Sequence, residues 1–209
     1  MRFTKFVGKT KLPTISLRKG FMKIVLASSN ENKVKEINAI VANTGIEFIL
    51  PPEGFDPIED GQSFEENSLI KAKAAWELSK TWTLADDSGL CINALNGAPG
   101  IHSARYADTP QTRIDRVLSE LNGITNRSAC FKCCMTLINP NGDIAFTYTG
   151  VCKGSIIEKQ RGTNGFGYDP IFLLEASDKT MAELSEDEKN EISHRGKALK
   201  EVLKYLKNT

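Results

Sequence analysis

No segment of this 209-residue chain approaches the run of about 18 apolar residues that a membrane-spanning helix needs. The N-terminus also lacks the apolar stretch of roughly 7–15 residues that a secretory signal carries. Neither membrane insertion nor secretion is therefore expected, and the expected location is cytoplasmic. Charge of one sign is lacking too: 27 Lys and Arg stand against 26 Asp and Glu, a formal net charge of +1 that gives bulk charge no role in recruiting nucleic acid. Histidine is scarce at two residues, and the five cysteines are an odd number. Cys130, Cys133 and Cys134 have no matching Cys/His pair downstream, which argues against a zinc framework and for reduced thiols in the core, like Cys91 and Cys152. No Cys-His or Ser-His pairing suggests a covalent nucleophile. The one imitation of a phosphate-binding P-loop, Gly8-Lys9-Thr10, would put its first glycine at Phe3 with no strand before it, which excludes that motif.

What remains is one large domain's worth of chain with 40% hydrophobic residues, enough for a core without staples. The first boundary is chemical. Residues 1–21 carry six cations and no acidic residue, so residues 22–209 hold five more negative than positive charges. The segment reads as a basic N-terminal extension ahead of Met22, an alternative-start or expression remnant rather than a targeting signal. From Lys23 the pattern is regular. The apolar, β-branched Lys23–Ala27 predicts a strand, and Val34, Ile37, Ile40 and Val41 fall at helical spacing after a polar bend. Glu47–Leu50 predicts a second strand stopped by Pro51-Pro52, and Phe64–Lys80 a helix capped by Ser63 with Glu66 three residues on. Thr83–Ala85 predicts a short strand, Gln111–Leu121 a helix, and Ser128–Ile138 and Asp143–Val151 a hairpin through Asn139-Pro140-Asn141-Gly142. Ile171–Leu174 and a helix with Ala198, Leu199, Val202, Leu203 and Leu206 on one face close the chain. This order predicts a mixed sheet flanked by helices, an α/β fold.

The chemistry concentrates in the bends. Ser28, Ser29, Asn30, Glu31, Asn32 and Lys33 join a strand to a helix N-terminus, where free N–H groups and the helix dipole favour an anion. Three acidic groups, Glu59/Asp60, Glu65/Glu66 and Asp86/Asp87, stand near element ends. Neighbouring carboxylates repel, so a buried Asp86-Asp87 needs a cation or hydrogen-bond donors beside it, and Mg2+ suits one or two carboxylates plus water and phosphate oxygens. Arg161–Asp169 mixes glycines with Phe166 and Tyr168, whose faces suit stacking on a flat base. His194, next to Arg195, is expected to resist protonation and to serve as a hydrogen-bonding group; His102 is read as structural.

Six blocks together, SSNENK (28–33), SFEENSLIKA (63–72), ADDSGL (85–90), GAPGIHSARY (97–106), GTNGFGYDPIF (162–172) and ELSEDEKNEISHRGKAL (183–199), closely resemble the inosine triphosphate pyrophosphatase family, in order across residues 22–209. The resemblance implies an elongated mixed α/β domain with a central nucleotide-binding cleft, a homodimer and a need for magnesium. It implies hydrolysis of nonstandard purine nucleoside triphosphates (ITP, dITP, XTP) to the monophosphate and pyrophosphate, which cleanses the nucleotide pool. By position, the loop 28–33 grips the triphosphate, Glu66 and Asp87 serve the metal, Asp87 accepts a proton and Ser88 touches phosphate. Phe166, Gly167, Tyr168 and Asp169, with Lys189, His194 and Arg195, form the nucleotide and base pocket. Where this chain has Ser28-Ser29 the family often has Thr-Gly, so a hydroxyl is kept and a glycine's freedom at 29 is lost. Alternatives are a related pyrophosphatase for other modified nucleotides, a nucleotide sensor without turnover, and nucleic-acid binding through the basic N-terminus, whose affinity would fall steeply with salt.

Overall fold

A computed structural model describes residues 22–42 and 44–209 of the chain, with the Glu31 side chain left out. The basic extension 1–21, including Gly8-Lys9-Thr10, lies outside the described residues. The first strand is β1 (Met22–Leu26), followed by α1 (Glu31–Val41), β2 (Ile46–Ile49) and α2 (Phe64–Ser79). Then come β3 (Thr83–Ile92), α3 (Pro110–Glu120), β4 (Ser128–Ile138), β5 (Ile144–Ile156), β6 (Phe172–Leu174), α4 (Glu186–Ile192) and α5 (His194–Lys207). The strands form one sheet in the order β2-β1-β3-β4-β5-β6. β1 pairs parallel with β2 and β3, and the remaining pairs are antiparallel, so the sheet is mixed and flanked by helices as expected.

Local chemistry sets the element ends. Asn30 Oδ1 accepts the N–H groups of Asn32 and Lys33, which starts α1, and Ser63 Oγ accepts the Glu66 N–H at the start of α2. Thr109 and Thr112 make a reciprocal box ahead of Pro110. Ser193 ends α4 and caps α5 by accepting the Gly196 N–H, so two helices meet at His194. The β4–β5 hairpin turns where Asn139 Oδ1 accepts the N–H groups of Asn141 and Asp143, with Gly142 at φ +93.

Three differences from the sequence expectations matter for function. β3 does not stop at Ala85; it runs ten residues, in register with β4 from Thr83↔Ile138 to Ile92↔Ala129, so Asp86 and Asp87 are inside a strand. β5 continues past Val151 to Ile156, where it takes on β6. The sequence reading has no separate helix α4; its seven residues carry four acids and no apolar stripe.

The long strands β3, β4 and β5 carry two cores on one face. Leu84, Cys133, Met135 and Leu137 pack under α1 and α5, whereas Leu90, Ile92, Ala129, Phe131 and Cys152 pack with α3 and β6. On β3 the boundary between them falls at Asp86 and Ser88, the two polar residues in the otherwise apolar alternation Leu84, Asp86, Ser88, Leu90, Ile92. The opposite face is covered by α2, through Ala72 and Ala75 against Val25, Ala85 and Ile138.

Candidate active site

The site begins where β1 ends. β1 accompanies β3 only as far as Leu26↔Leu84, while β3 runs on for eight more residues paired with β4 alone. The uncovered edge of β3 opens into a crevice of about 370 Å³, in the size range of small-molecule sites. The bend 28–33 forms one wall, and the loop carrying Phe55 and Glu59 forms another. Residues 166–169 and the start of α5 form a third.

Strand alternation solves the repulsion between adjacent carboxylates by sending them to opposite faces. Asp86 points beneath α5, where Lys33 Nζ lies 3.1 Å and Arg195 Nη2 3.2 Å from its Oδ2. Burial alone would raise its pKa, but the charges of Lys33 and Arg195 prevail and hold it below the usual carboxylate range. Asp87 turns to the α2 face and meets Lys71 Nζ at 3.0 Å. There burial outweighs Lys71 and Lys33, and the Asp87 pKa is raised. Arg195 Nη2 also donates to Ser88 Oγ at 2.9 Å, which fixes the residue after the two acids.

The bend 28–33 is partly self-satisfied. Ser28 Oγ accepts the Asn30 N–H at 3.2 Å, and the Asn32 and Lys33 amides are taken by the Asn30 cap. Its offer to an anion is therefore mainly the exposed Ser29 and Asn30 side chains, the Ser28 hydroxyl and the Lys33 ammonium, all lining the crevice. Asn32 borders a neighbouring cavity instead, and the Glu31 side chain lies outside the description.

Glu66 is not brought to Asp87. It is exposed on the first turn of α2, where its Oε2 accepts the Gln62 N–H at 2.7 Å, and it does not line the crevice. The reason is helical geometry: a capping residue must reach back over the helix end, which aims it away from the sheet. Glu59 stands there instead. Lys71 Nζ lies 2.8 Å from Glu59 and 3.0 Å from Asp87, so the two carboxylates already share one cation. Among the described residues no group of three or more His, Cys, Asp or Glu is placed to hold a metal, so any ion must draw its other ligands from water and substrate.

At the far end, Phe166 presents its ring below two cations, with Lys189 Nζ 4.7 Å and Arg195 Cζ 5.8 Å from the centroid. Asp169 Oδ2 accepts the Phe166 N–H at 2.8 Å and the Lys189 ammonium at 2.7 Å, which shapes the loop around Gly167. Burial outweighs Lys189, and the Asp169 pKa is raised. Tyr168 differs from the expectation of a stacking face: it is buried in the core, its hydroxyl donates to the Ser103 carbonyl at 3.0 Å, and burial pushes its pKa up to about 12. His194 lies stacked on Phe131 at 4.9 Å. Burial first and Arg195 second lower its pKa well below 6.5, so it stays neutral as expected. His102 is exposed and accepts from Arg105 Nε at 3.3 Å.

A model of the Ham1 family matches residues 24–205. The chain belongs to the Ham1 family. A dITP/XTP pyrophosphatase of Treponema denticola is 48% identical over 198 residues, covering 90% of this chain and all of the relative. One from Desulfotalea psychrophila is also 48% identical, covering 86% and 82%. Among solved structures, a HAM1 protein from Coxiella burnetii superposes with a TM-score of 0.82 at 42% identity, covering 90% of this chain and 100% of its own.

This Ham1 crevice also uses residues that sequence reasoning did not single out. Glu36 on α1 contacts both Lys189 Nζ, at 2.6 Å, and Arg195 Nη1, linking Asp169, Lys189, Glu36, Arg195, Asp86 and Lys33 into one chain of alternating charge. Burial opposes its ionisation, but Arg195 and Lys189 lower its pKa. Its signal in the sequence was its position three residues after Lys33 on one helix, which puts both on the same side. Lys71, Phe131 and Arg113 line the crevice itself, while Glu36 stands behind it and borders a neighbouring cavity. Lys71 lies within a block quoted above yet reads like any helix lysine, and Phe131 like any strand aromatic.

Proposed function

We propose that this Ham1 protein hydrolyses nonstandard purine nucleoside triphosphates, ITP, dITP and XTP, to the nucleoside monophosphate and pyrophosphate. The observation that carries the reading is one crevice lined by Asp87 and by two chemically different groups of residues. The group Ser28, Ser29, Asn30 and Lys33 offers hydroxyls, an amide and an ammonium to a polyphosphate. The other group offers the Phe166 face with Lys189, His194 and Arg195 to a base. The Treponema denticola and Desulfotalea psychrophila relatives are named dITP/XTP pyrophosphatases, which supports the reading.

In this reading Asp87 takes the proton of the attacking water. Burial raises its pKa, and a cation bound beside it would offset that rise and keep it ionised as the acceptor. Ser88, held by Arg195, contacts phosphate, and Lys33 balances the polyphosphate charge. Glu59 and Asp87 would hold magnesium. The donor set fits: both are hard oxygen ligands held near each other by the Lys71 ammonium, and Asp87 Oδ2, buried without a hydrogen-bond partner, is left for the ion. Bound there, magnesium would supply charge neutralisation at the phosphate oxygens.

Base choice follows from polarity at purine position 6. Hypoxanthine and xanthine present an acceptor oxygen to the donors Arg195 and Lys189, while adenine presents an amine that leaves them unpaired, worth about 10⁴-fold in kcat/KM. Pyrophosphate release from ITP, XTP, GTP and ATP, with and without magnesium, tests this. Turnover of ITP and XTP that needs magnesium and far exceeds that of ATP is expected; a preference for ATP, or turnover unaffected by chelation, contradicts it.

The reading also includes a homodimer, a cytoplasmic location and no nucleic-acid or membrane partner. No described helix is long and apolar enough to cross a membrane. The dimer rests on the family resemblance, and light scattering should return about twice the 23.0 kDa chain mass.

A further inference from the structure

The ten-residue register between β3 and β4 sets Cys91 directly opposite Cys130. Opposed residues of an antiparallel pair point to the same face with Cα atoms about 4.5–5.5 Å apart, which falls within the span a disulfide bridges. The two thiols are cross-strand neighbours, and both residues are half-buried rather than sealed in the core. The other three cysteines are buried, and the strand pattern keeps them apart from this pair. Cys133 and Cys152 occupy the opposite face by alternation, and Cys134 sits four residues along β4 from Cys130, about 13 Å away. The surroundings carry positive charge. Lys153 is directly opposite Cys130 on β5, and Lys132 is two residues along on the same face.

We infer that Cys91 and Cys130 form a cross-strand dithiol site that is oxidised to an intramolecular disulfide by an anionic low-molecular-weight disulfide such as oxidised glutathione. Lys132 and Lys153 draw the anionic oxidant to Cys130. The Cys130 thiolate attacks one sulfur of the oxidant, forming a mixed disulfide and releasing one small thiol. Cys91 then gives up its proton, attacks the Cys130 sulfur of the mixed disulfide and releases the second small thiol. Two electrons pass from the protein thiols to the oxidant, and the two thiol protons leave on the products. Burial, and then the neighbouring Cys130, push the Cys91 thiol up to about 11, which makes this second step the slow one and speeds it as pH rises. Little backbone movement is needed, because the strand register already holds the partners opposite each other. The bond would tie the strands one residue beyond Leu90 and Phe131, both of which line the crevice.

The test is thiol counting and peptide mapping of the full folded chain, alkylated before and after exposure to oxidised glutathione. The expected result is a fall from five free thiols to three, with the Cys91 and Cys130 peptides joined, and full reversal by dithiothreitol. In Cys91→Ala the mixed disulfide should instead persist on Cys130, with nucleotide turnover of the reduced variant unchanged. Five thiols surviving oxidation, a link between any other pair, or a glutathione adduct on Cys130 that persists with Cys91 intact would each overturn the inference.

Discussion

Asp86 and Asp87 illustrate how two identical neighbours acquire different work. Pleating sends one to Lys33 and Arg195 and the other to Lys71, and the balance of burial against charge then lowers one pKa and raises the other. Asp86 is thereby a permanent anion that holds Arg195 and Lys33 in place, while Asp87 is suited to proton transfer. Replacing Asp87 by Asn keeps the shape and removes the base: kcat is expected to fall by about 10²–10⁴-fold with nucleotide binding retained, as read by single-turnover kinetics and equilibrium binding. Glu59 and Glu66 separate two accounts of the metal. Glu59→Gln should raise the magnesium concentration needed for half-maximal turnover, whereas Glu66→Ala should leave it unchanged and cost only about 1 kcal/mol of stability through the lost bond to the Gln62 amide. The reverse pattern in a magnesium titration would return Glu66 to the metal. His194 gives the pH signature. Its folded pKa lies well below 6.5, so beneath that value the unfolded chain binds a proton that the folded chain refuses, and its contribution to stability, complete at higher pH, is lost as pH falls through 6.5. Urea midpoints measured between about pH 8 and about pH 5 should fall less steeply in His194→Gln; an identical slope would show that the ring titrates normally.

Among the elements, the strand β3 decides the site, and it was only half legible. The helices α1, α2, α3 and α5 and the β4–β5 hairpin were readable because caps and apolar periodicity act locally: Asn30, Ser63, Thr109, Ser193 and the Asn139–Gly142 turn each declare an end. Asp86-Asp87-Ser88-Gly89 instead reads as a turn, since Asp, Ser and Gly are poor strand formers. Pairing with β4 overrides that preference, and no local pattern announces it. Glu59 stands among the three acidic groups the sequence offers, but its pairing with Asp87 is not legible there: it depends on a loop fold that brings it to Lys71, whereas Glu66 carries an obvious helix-start signal with a purely local purpose. Gly89 shows how tightly β3 is held there. A Cβ at this position would stand 2.3 Å from the Gly100 carbonyl oxygen and 2.5 Å from Ser103 Oγ, both fixed by the hydrogen bond that also anchors the Leu90 amide. Gly89→Ala should therefore destabilise by about 1–3 kcal/mol in denaturant unfolding, and a neutral result would mean that the Gly100–Arg105 turn yields freely.

At the scale of the molecule, two cores share the long strands, and the polar break between them at Asp86 and Ser88 is where the crevice opens. A domain of this kind cannot close its cores across that break without burying unpaired charge. It fills the break with the alternating chain from Asp169 through Lys189, Glu36, Arg195 and Asp86 to Lys33, which links the Phe166 loop to the bend 28–33. That continuity underlies the proposal that one nucleotide spans the crevice with its anhydride bonds over Asp87. The most direct test is product analysis of ITP turnover with magnesium in water enriched in oxygen-18. Inosine monophosphate and pyrophosphate in equal amounts, with one labelled oxygen per turnover on one of the two products, is the expected result. Inosine diphosphate with orthophosphate would contradict it.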